Sequence, residues 1–200
     1  MKERIFEIVG DREKGEKLFL YYNEIKNWSE KINLISRKDI EGNFLNLLKT
    51  SIFLYTKLSE FNSFVDIGAG AGLPSIPGKI LYPEKTFVLI EPGKRYSFLK
   101  HLIKTLSFKN IEAEKKSFME YFSKKTQKTF DLGVSWGVKD KISILKTGRN
   151  FVKIGYVFIT GPKEIEKMKK LKSFFDVKAE KIEGKSKLFI AFAKKVPRGT

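Results

Sequence analysis

Cysteine is absent from the 200-residue chain, and histidine occurs once, at His101. Disulfides and thiolate metal sites are thereby excluded, a histidine metal cluster cannot form, and a reducing compartment is the expected setting. No metal is expected. His101 itself reads as a helix residue at or near the surface, since no partner motif surrounds it. No apolar run approaches the roughly 18 residues that a bilayer-spanning helix needs. The start, MKERIFEIVGDREKGEK, lacks a secretory apolar core. These absences predict a soluble, cytoplasmic protein without membrane contact. Acid is also scarce: 23 Asp and Glu stand against 40 Lys and Arg, a net charge of +17. Such an excess suits counterion release on binding a polyanion, with nucleic acid the foremost partner. It is equally compatible with a solvated, lysine-rich surface of the kind thermophile proteins carry.

What is present divides the chain in two. Over residues 14–35 the apolar residues Leu18, Tyr21, Tyr22, Ile25, Trp28 and Ile32 recur at three- and four-residue steps, which puts them on one helix face. A second helix is predicted over residues 39–58, with Phe44, Leu47, Leu48, Ile52 and Tyr55 at similar spacing. Residues 1–60 are therefore expected to form a helical N-terminal region, followed by an α/β domain over 61–195 and a tail over 196–200. The tail residues resemble part of a protease-recognition scar. Within the α/β domain, β-branched and aromatic runs at 63–67, 86–90, 111–115, 130–134, 156–160, 174–179 and 188–193 predict seven strands. Helices are predicted at 76–81, 94–106, 118–123, 141–151 and 163–173. Strand-helix alternation implies a parallel sheet with right-handed crossovers. Only the short link EKIEGKSK joins the last two strands, too little for a crossover helix, so they should pair antiparallel. The expectation is a seven-stranded sheet with one reversed strand.

The first strand runs into FVDIGAGAGLPSIP. In open α/β sheets the first strand-to-helix turn is the usual ligand cradle, and glycines there permit positive φ and close approach to the main chain. Spacing selects the ligand. A dinucleotide fingerprint would need glycine at position 73, where the chain has Leu73, so a nicotinamide enzyme is disfavoured. The glycines fall as G-x-G-x-G at Gly68, Gly70 and Gly72, with Asp66 two residues ahead, a pattern typical of S-adenosylmethionine sites. Glu91, closing the second strand, can accept from both hydroxyls of a ribose.

Asn27-Trp28 followed by KINLIS, then VDIGAGAGLPSIP, LIEPGKRYSFLKHLIKTLSFKNIE and FDLGVSWG resemble, in order and spacing, the RsmG family, also called glucose-inhibited division protein B. The resemblance covers residues 21–194. It implies a Rossmann-like class I S-adenosylmethionine-dependent methyltransferase fold and a monomer that methylates N7 of a guanine in 16S ribosomal RNA, on naked RNA or on the small ribosomal subunit. It further implies cofactor contacts at Gly68, Ala69 and Leu73, at Glu91, at Met119 and Glu120 where adenine would pack, and at Ser135. Phe118 and Met119 read as well as core residues at a helix start.

Three departures stand out. Where the family carries Arg-His-x-x-Asp-Ser in its second helix, this chain has Asn46, Leu47, Thr50 and Ser51. Where the family has Ser-Arg-Ala after the fourth strand, the chain reads Ser135-Trp136-Gly137, and where the fifth strand ends Lys-Gly, it reads Thr160-Gly161. Guanine N7 has an in-plane lone pair and needs no proton removed, so loss of the histidine does not by itself abolish the chemistry. Loss of a planar guanidinium removes directional RNA contacts. A tryptophan cannot supply those contacts; Trp136 can instead stack on a base, or serve packing alone. The alternative reading is a divergent relative that binds S-adenosylmethionine and RNA with altered or lost transfer. Candidate RNA contacts are Lys94, Arg95, Lys115, Lys116, Lys139, Lys141 and Arg149, together with Lys124, Lys125 and Lys128.

Overall fold

A computed structural model describes residues 1–123, 129–182, 185 and 187–196. Lys124, Lys125, Lys128 and most of the tail lie outside the described residues. Three helices come first: α1 (Lys2–Val9), α2 (Arg12–Trp28) and α3 (Ile40–Lys57). Asp11 and Asp39 start the second and third by accepting the amides of Lys14 (3.0 Å) and Gly42 (2.9 Å), satisfying donors that have no partner within the helix. The first helix was not foreseen. Gly10, at φ 66°, ends it in the left-handed conformation that only glycine adopts readily.

The strands are β1 (Ser63–Ile67), β2 (Thr86–Ile90), β3 (Ile111–Glu114), β4 (Phe130–Trp136), β5 (Val152–Thr160), β6 (Phe175–Lys181) and β7 (Phe189–Lys195). Between them lie α4 (Ser75–Leu81), α5 (Arg95–Thr105), α6 (Phe118–Ser123), α7 (Lys141–Gly148) and α8 (Pro162–Lys169). They form one sheet in the order β3-β2-β1-β4-β5-β7-β6. Only β7 runs against its neighbours, β5 and β6, as the short last link required. The order reverses between β1 and β4, which pair at the centre, and the crevice at their carboxyl ends is where such sheets bind ligands.

Both faces of the sheet are covered, which is why its strands read as continuous apolar runs. Phe64, Phe87, Leu132 and Val157 face α1–α5, whereas Val65, Val88, Tyr156 and Phe158 face α6–α8. One apolar cluster runs from Ile5 and Leu18 in the N-terminal helices through Phe64 and Phe87 to Ile190.

Candidate active site

The chain leaves β1 through Gly68, Ala69 and Gly70, and the loop is fixed from both sides. Gly68 and Ala69 donate their amides to the Ile90 carbonyl at the end of β2 (2.9 and 3.1 Å). Glu91 accepts the Gly70 amide on one carboxylate oxygen and the Gly93 amide on the other, each at 3.0 Å. Gly68, Gly70 and Gly72 all have positive φ, at 71°, 59° and 91°, so side chains there would be strained. Their surroundings differ. A Cβ on Gly68 would meet a Val138 methyl at 2.5 Å, and one on Gly72 would meet Ile76 at 2.4 Å, so these two are bare for packing. A Cβ on Gly70 would find its nearest neighbour in the Arg95 guanidinium, at 3.3 Å. Gly70 is itself buried, its amide held by Glu91 and its Cα side covered by that guanidinium.

Asp66 is 1% exposed, and neither of its carboxylate oxygens has a hydrogen-bond partner among the described residues. Burial pushes its pKa up to about 7, partly offset by the nearby Ser75 hydroxyl and reinforced by the Glu91 carboxylate. The Ser75 hydroxyl makes its hydrogen bond with Tyr55 instead (3.0 Å). Tyr21, on α2, donates to the Ala71 carbonyl at 2.8 Å and ties the N-terminal helices to the loop. Burial first, and then the charge of Asp66, raise both tyrosine hydroxyls well above their ordinary range. A buried acid without donors beside a glycine-rich turn suits a ligand that brings its own donors or positive charge. The aminoacyl end of S-adenosylmethionine carries both.

The remaining predicted residues are held in other ways. Ser135 is fully buried and donates to the Ile67 carbonyl at 2.9 Å, locking the ends of β1 and β4 together. Leu73 is buried in the loop. Met119, half exposed, receives a contact from the Thr147 hydroxyl at 3.6 Å on its sulfur. Glu120 closes a capping box: its carboxylate accepts the Ser117 amide and hydroxyl, both at 2.7 Å, and its own amide donates back to Ser117. Those bonds hold the Glu120 pKa below the ordinary carboxylate value. Lys94 and Lys139 are exposed in the loops after β2 and β4. Lys141 is buried and donates to the Val138 carbonyl (2.6 Å), and Arg149 opens the short 3-10 turn ahead of β5 with its guanidinium on the Val196 carbonyl (2.9 Å).

Trp136 is the last residue of β4 and lines a cavity of about 440 Å³. The opposite wall is α3, which contributes Asn46, Leu47 and Thr50. Residues up to 90 positions apart, each standing where the RsmG pattern has a different side chain, thus converge on one cavity.

Four participants escaped sequence reasoning: Tyr21, Tyr55, Ser75 and Val138. Their helical or β-branched spacing reads as ordinary core, and no local signal could tell Tyr21 from its neighbours. The sequence places Arg95 among the RNA contacts alone, yet its guanidinium lies across Gly70 with Nε 3.8 Å from Glu91. Its position four residues after Glu91, opening a helix, was the available signal.

Comparison with known proteins gives one consistent result. The family model GidB, described as rRNA small subunit methyltransferase G, matches residues 14–190. The protein named ribosomal RNA small subunit methyltransferase G in Desulfotalea psychrophila is 39% identical over 108 residues, which is 51% of this chain and 48% of that protein. Its namesake in Acetivibrio thermocellus is 32% identical over 183 residues, 86% of this chain and 74% of that protein. Among solved structures, a precorrin-6y C5,15-methyltransferase from Geobacter metallireducens superposes with a TM-score of 0.60 at 16% identity, covering 82% of this chain and 91% of that one. At such identity the likeness speaks for the fold alone.

Proposed function

We propose a function from the premise that this chain belongs to the rRNA small subunit methyltransferase G family: it transfers a methyl group from S-adenosylmethionine to a guanine ring nitrogen, N7, of 16S ribosomal RNA. The fold, a Rossmann-like class I methyltransferase sheet with one reversed strand, agrees with this. Asp66 and the Gly70 main chain would hold the aminoacyl end of the cofactor. Glu91 would accept from the ribose hydroxyls with the lone pairs its two amide donors leave free. Loop residues Gly68, Ala69, Gly72 and Leu73 would shape the cradle, Ser135 would fix its far wall, and Met119 with Glu120 would border the adenine. Bound S-adenosylmethionine supplies a methyl group activated on a sulfonium. The N7 lone pair needs no base, so the work of the chain is alignment: a near-attack distance and direction held against a preformed floor. Lys94, Arg95 and Lys139 would meet RNA phosphates. The protein would act as a monomer in the cytoplasm; none of the described helices is long and apolar enough to cross a membrane.

The observation that carries this reading is the buried, unpartnered Asp66 carboxylate at the end of β1, beside a loop whose three glycines all have positive φ. Its test is titration calorimetry with S-adenosylmethionine, followed by incubation with labelled cofactor and small ribosomal subunits lacking the modification. Saturable binding and label at a single guanine N7 are expected; no cofactor binding would sink the reading. A second reading is favoured by the neutral cavity wall at Asn46, Leu47, Thr50 and Trp136: a relative that keeps cofactor and RNA binding with altered or lost transfer. Binding without labelled RNA would select it.

A further inference from the structure

The cavity between α3 and the end of β4 has a lining suited to one kind of group. Leu34, Ile35 and Leu47 supply apolar surface, Trp136 an indole, and Asn46 and Thr50 neutral hydrogen-bonding groups. Among the described lining residues no acid occurs and Lys185 is the only cation. A phosphate or a sugar would leave that apolar surface wet or its own charge unpaired, whereas an uncharged, planar heterocycle satisfies both surfaces. Trp136 is half-buried and anchored: its neighbour Ser135 is hydrogen-bonded to Ile67, and Val138 packs on Gly68. The strand end that carries it is therefore tied to the start of the glycine loop, and the cavity it lines stands at the same, carboxyl, edge of the sheet. The Thr50 hydroxyl donates to the Asn46 carbonyl at 3.0 Å and keeps its lone pairs for an outside donor, and the exposed Asn46 amide can both donate and accept.

We propose that this cavity receives the target nucleobase, unstacked from its RNA, with Trp136 stacked on its face and Asn46 and Thr50 reading its edge. The inference rests on the proposed function for the adjoining loop. Recognition here is by stacking and neutral hydrogen bonds, while the exposed lysines serve the phosphates outside. A base drawn from a single-stranded segment can reach such a cavity at the cost of unstacking alone.

The test uses two readouts. In the first, Trp136→Ala lowers kcat/KM for methyl transfer to unmodified small subunits by roughly 5- to 150-fold, the loss of one base stack. Trp136→Phe retains most of the activity, and calorimetry shows unchanged cofactor affinity for both variants. Full activity in Trp136→Ala overturns the proposal. The second readout does not depend on transfer. In a Trp28→Phe background, where Trp136 is the one remaining tryptophan, fluorescence is followed while a short single-stranded RNA with one guanosine among uridines is added. An all-uridine RNA is the control, and occupancy is read separately from the anisotropy of a dye on the RNA. Saturable quenching specific to the guanosine RNA is expected. Equal emission with both RNAs at full occupancy, or no binding of either, overturns the base cavity. Quenching without any methyl transfer keeps the cavity and removes the enzymatic reading instead.

Discussion

Asp66 presents an unusual balance at the residue scale. Its carboxylate is buried without donors and its pKa is raised from 3.8 to about 7. The folded chain therefore holds a proton that the unfolded chain has already lost over that interval. Stability is undiminished below pH 4, falls as pH rises toward 7, and changes no further through this group above it, with a total cost on the order of 4 kcal/mol. Asp11, Asp131 and Asp140 have lowered pKa values and act in the opposite direction, so the informative quantity is a difference between variants. Urea unfolding of Asp66→Asn and the unsubstituted chain should give similar stabilities at pH 4 and a clear advantage for the variant at pH 8. Parallel pH profiles would show that Asp66 has the same proton affinity folded and unfolded. Cofactor binding should run the other way. A positively charged group beside the carboxylate favours its ionised form, so affinity should rise with pH through 7 in the unsubstituted chain and be weaker and pH-independent in Asp66→Asn.

At the scale of elements, the N-terminal helices floor the loop. Tyr21 on α2 is 50 residues from the Ala71 carbonyl it serves. Tyr21→Phe leaves that buried acceptor unsatisfied, a loss of about 1–3 kcal/mol; equilibrium unfolding measures it, and a weaker cofactor affinity should accompany it. Helices α1–α3 and the sheet share the apolar cluster of Ile5, Leu18, Phe64 and Phe87. A chain begun at residue 61 would strip α1–α3 from the sheet face they share with α4 and α5 and should show no cooperative thermal transition; a sharp transition would make residues 1–60 an appendage. These long-range ties were not legible in the sequence, whereas the strands were. Runs such as FVLI reveal strands covered on both faces, and Asp66, the glycines and Glu91 stood out by spacing. The first four residues of β5 escaped because Gly155 interrupts them; pairing with β4, from Phe130 against Val152 onward, overrides that local preference. Helix α1 goes unpredicted although its end signals are present, Gly10 to stop it and Asp11 to start the next.

At the scale of the whole molecule, the net charge of +17 meets the topology. Exposed cations follow successive strands at the carboxyl edge of the sheet: Lys94 and Arg95 after β2, Lys115 after β3, Lys139 after β4 and Lys163 after β5. The reversal between β1 and β4 puts the glycine loop and the Trp136 cavity at that same edge. A polyanion lying across it would displace counterions in proportion to the cations it contacts, so RNA affinity should fall steeply and linearly on a log-log plot against salt. Lys94→Ala and Lys139→Ala should each reduce that slope by about one while leaving cofactor affinity unchanged. Lys109 is exposed just ahead of β3, at the amino edge, and provides the control. If Lys109→Ala lowered the slope as much as Lys94→Ala, the charge would be acting as a diffuse field over the surface. An effect confined to Lys94 and Lys139 would place the RNA on the edge that carries the cofactor loop.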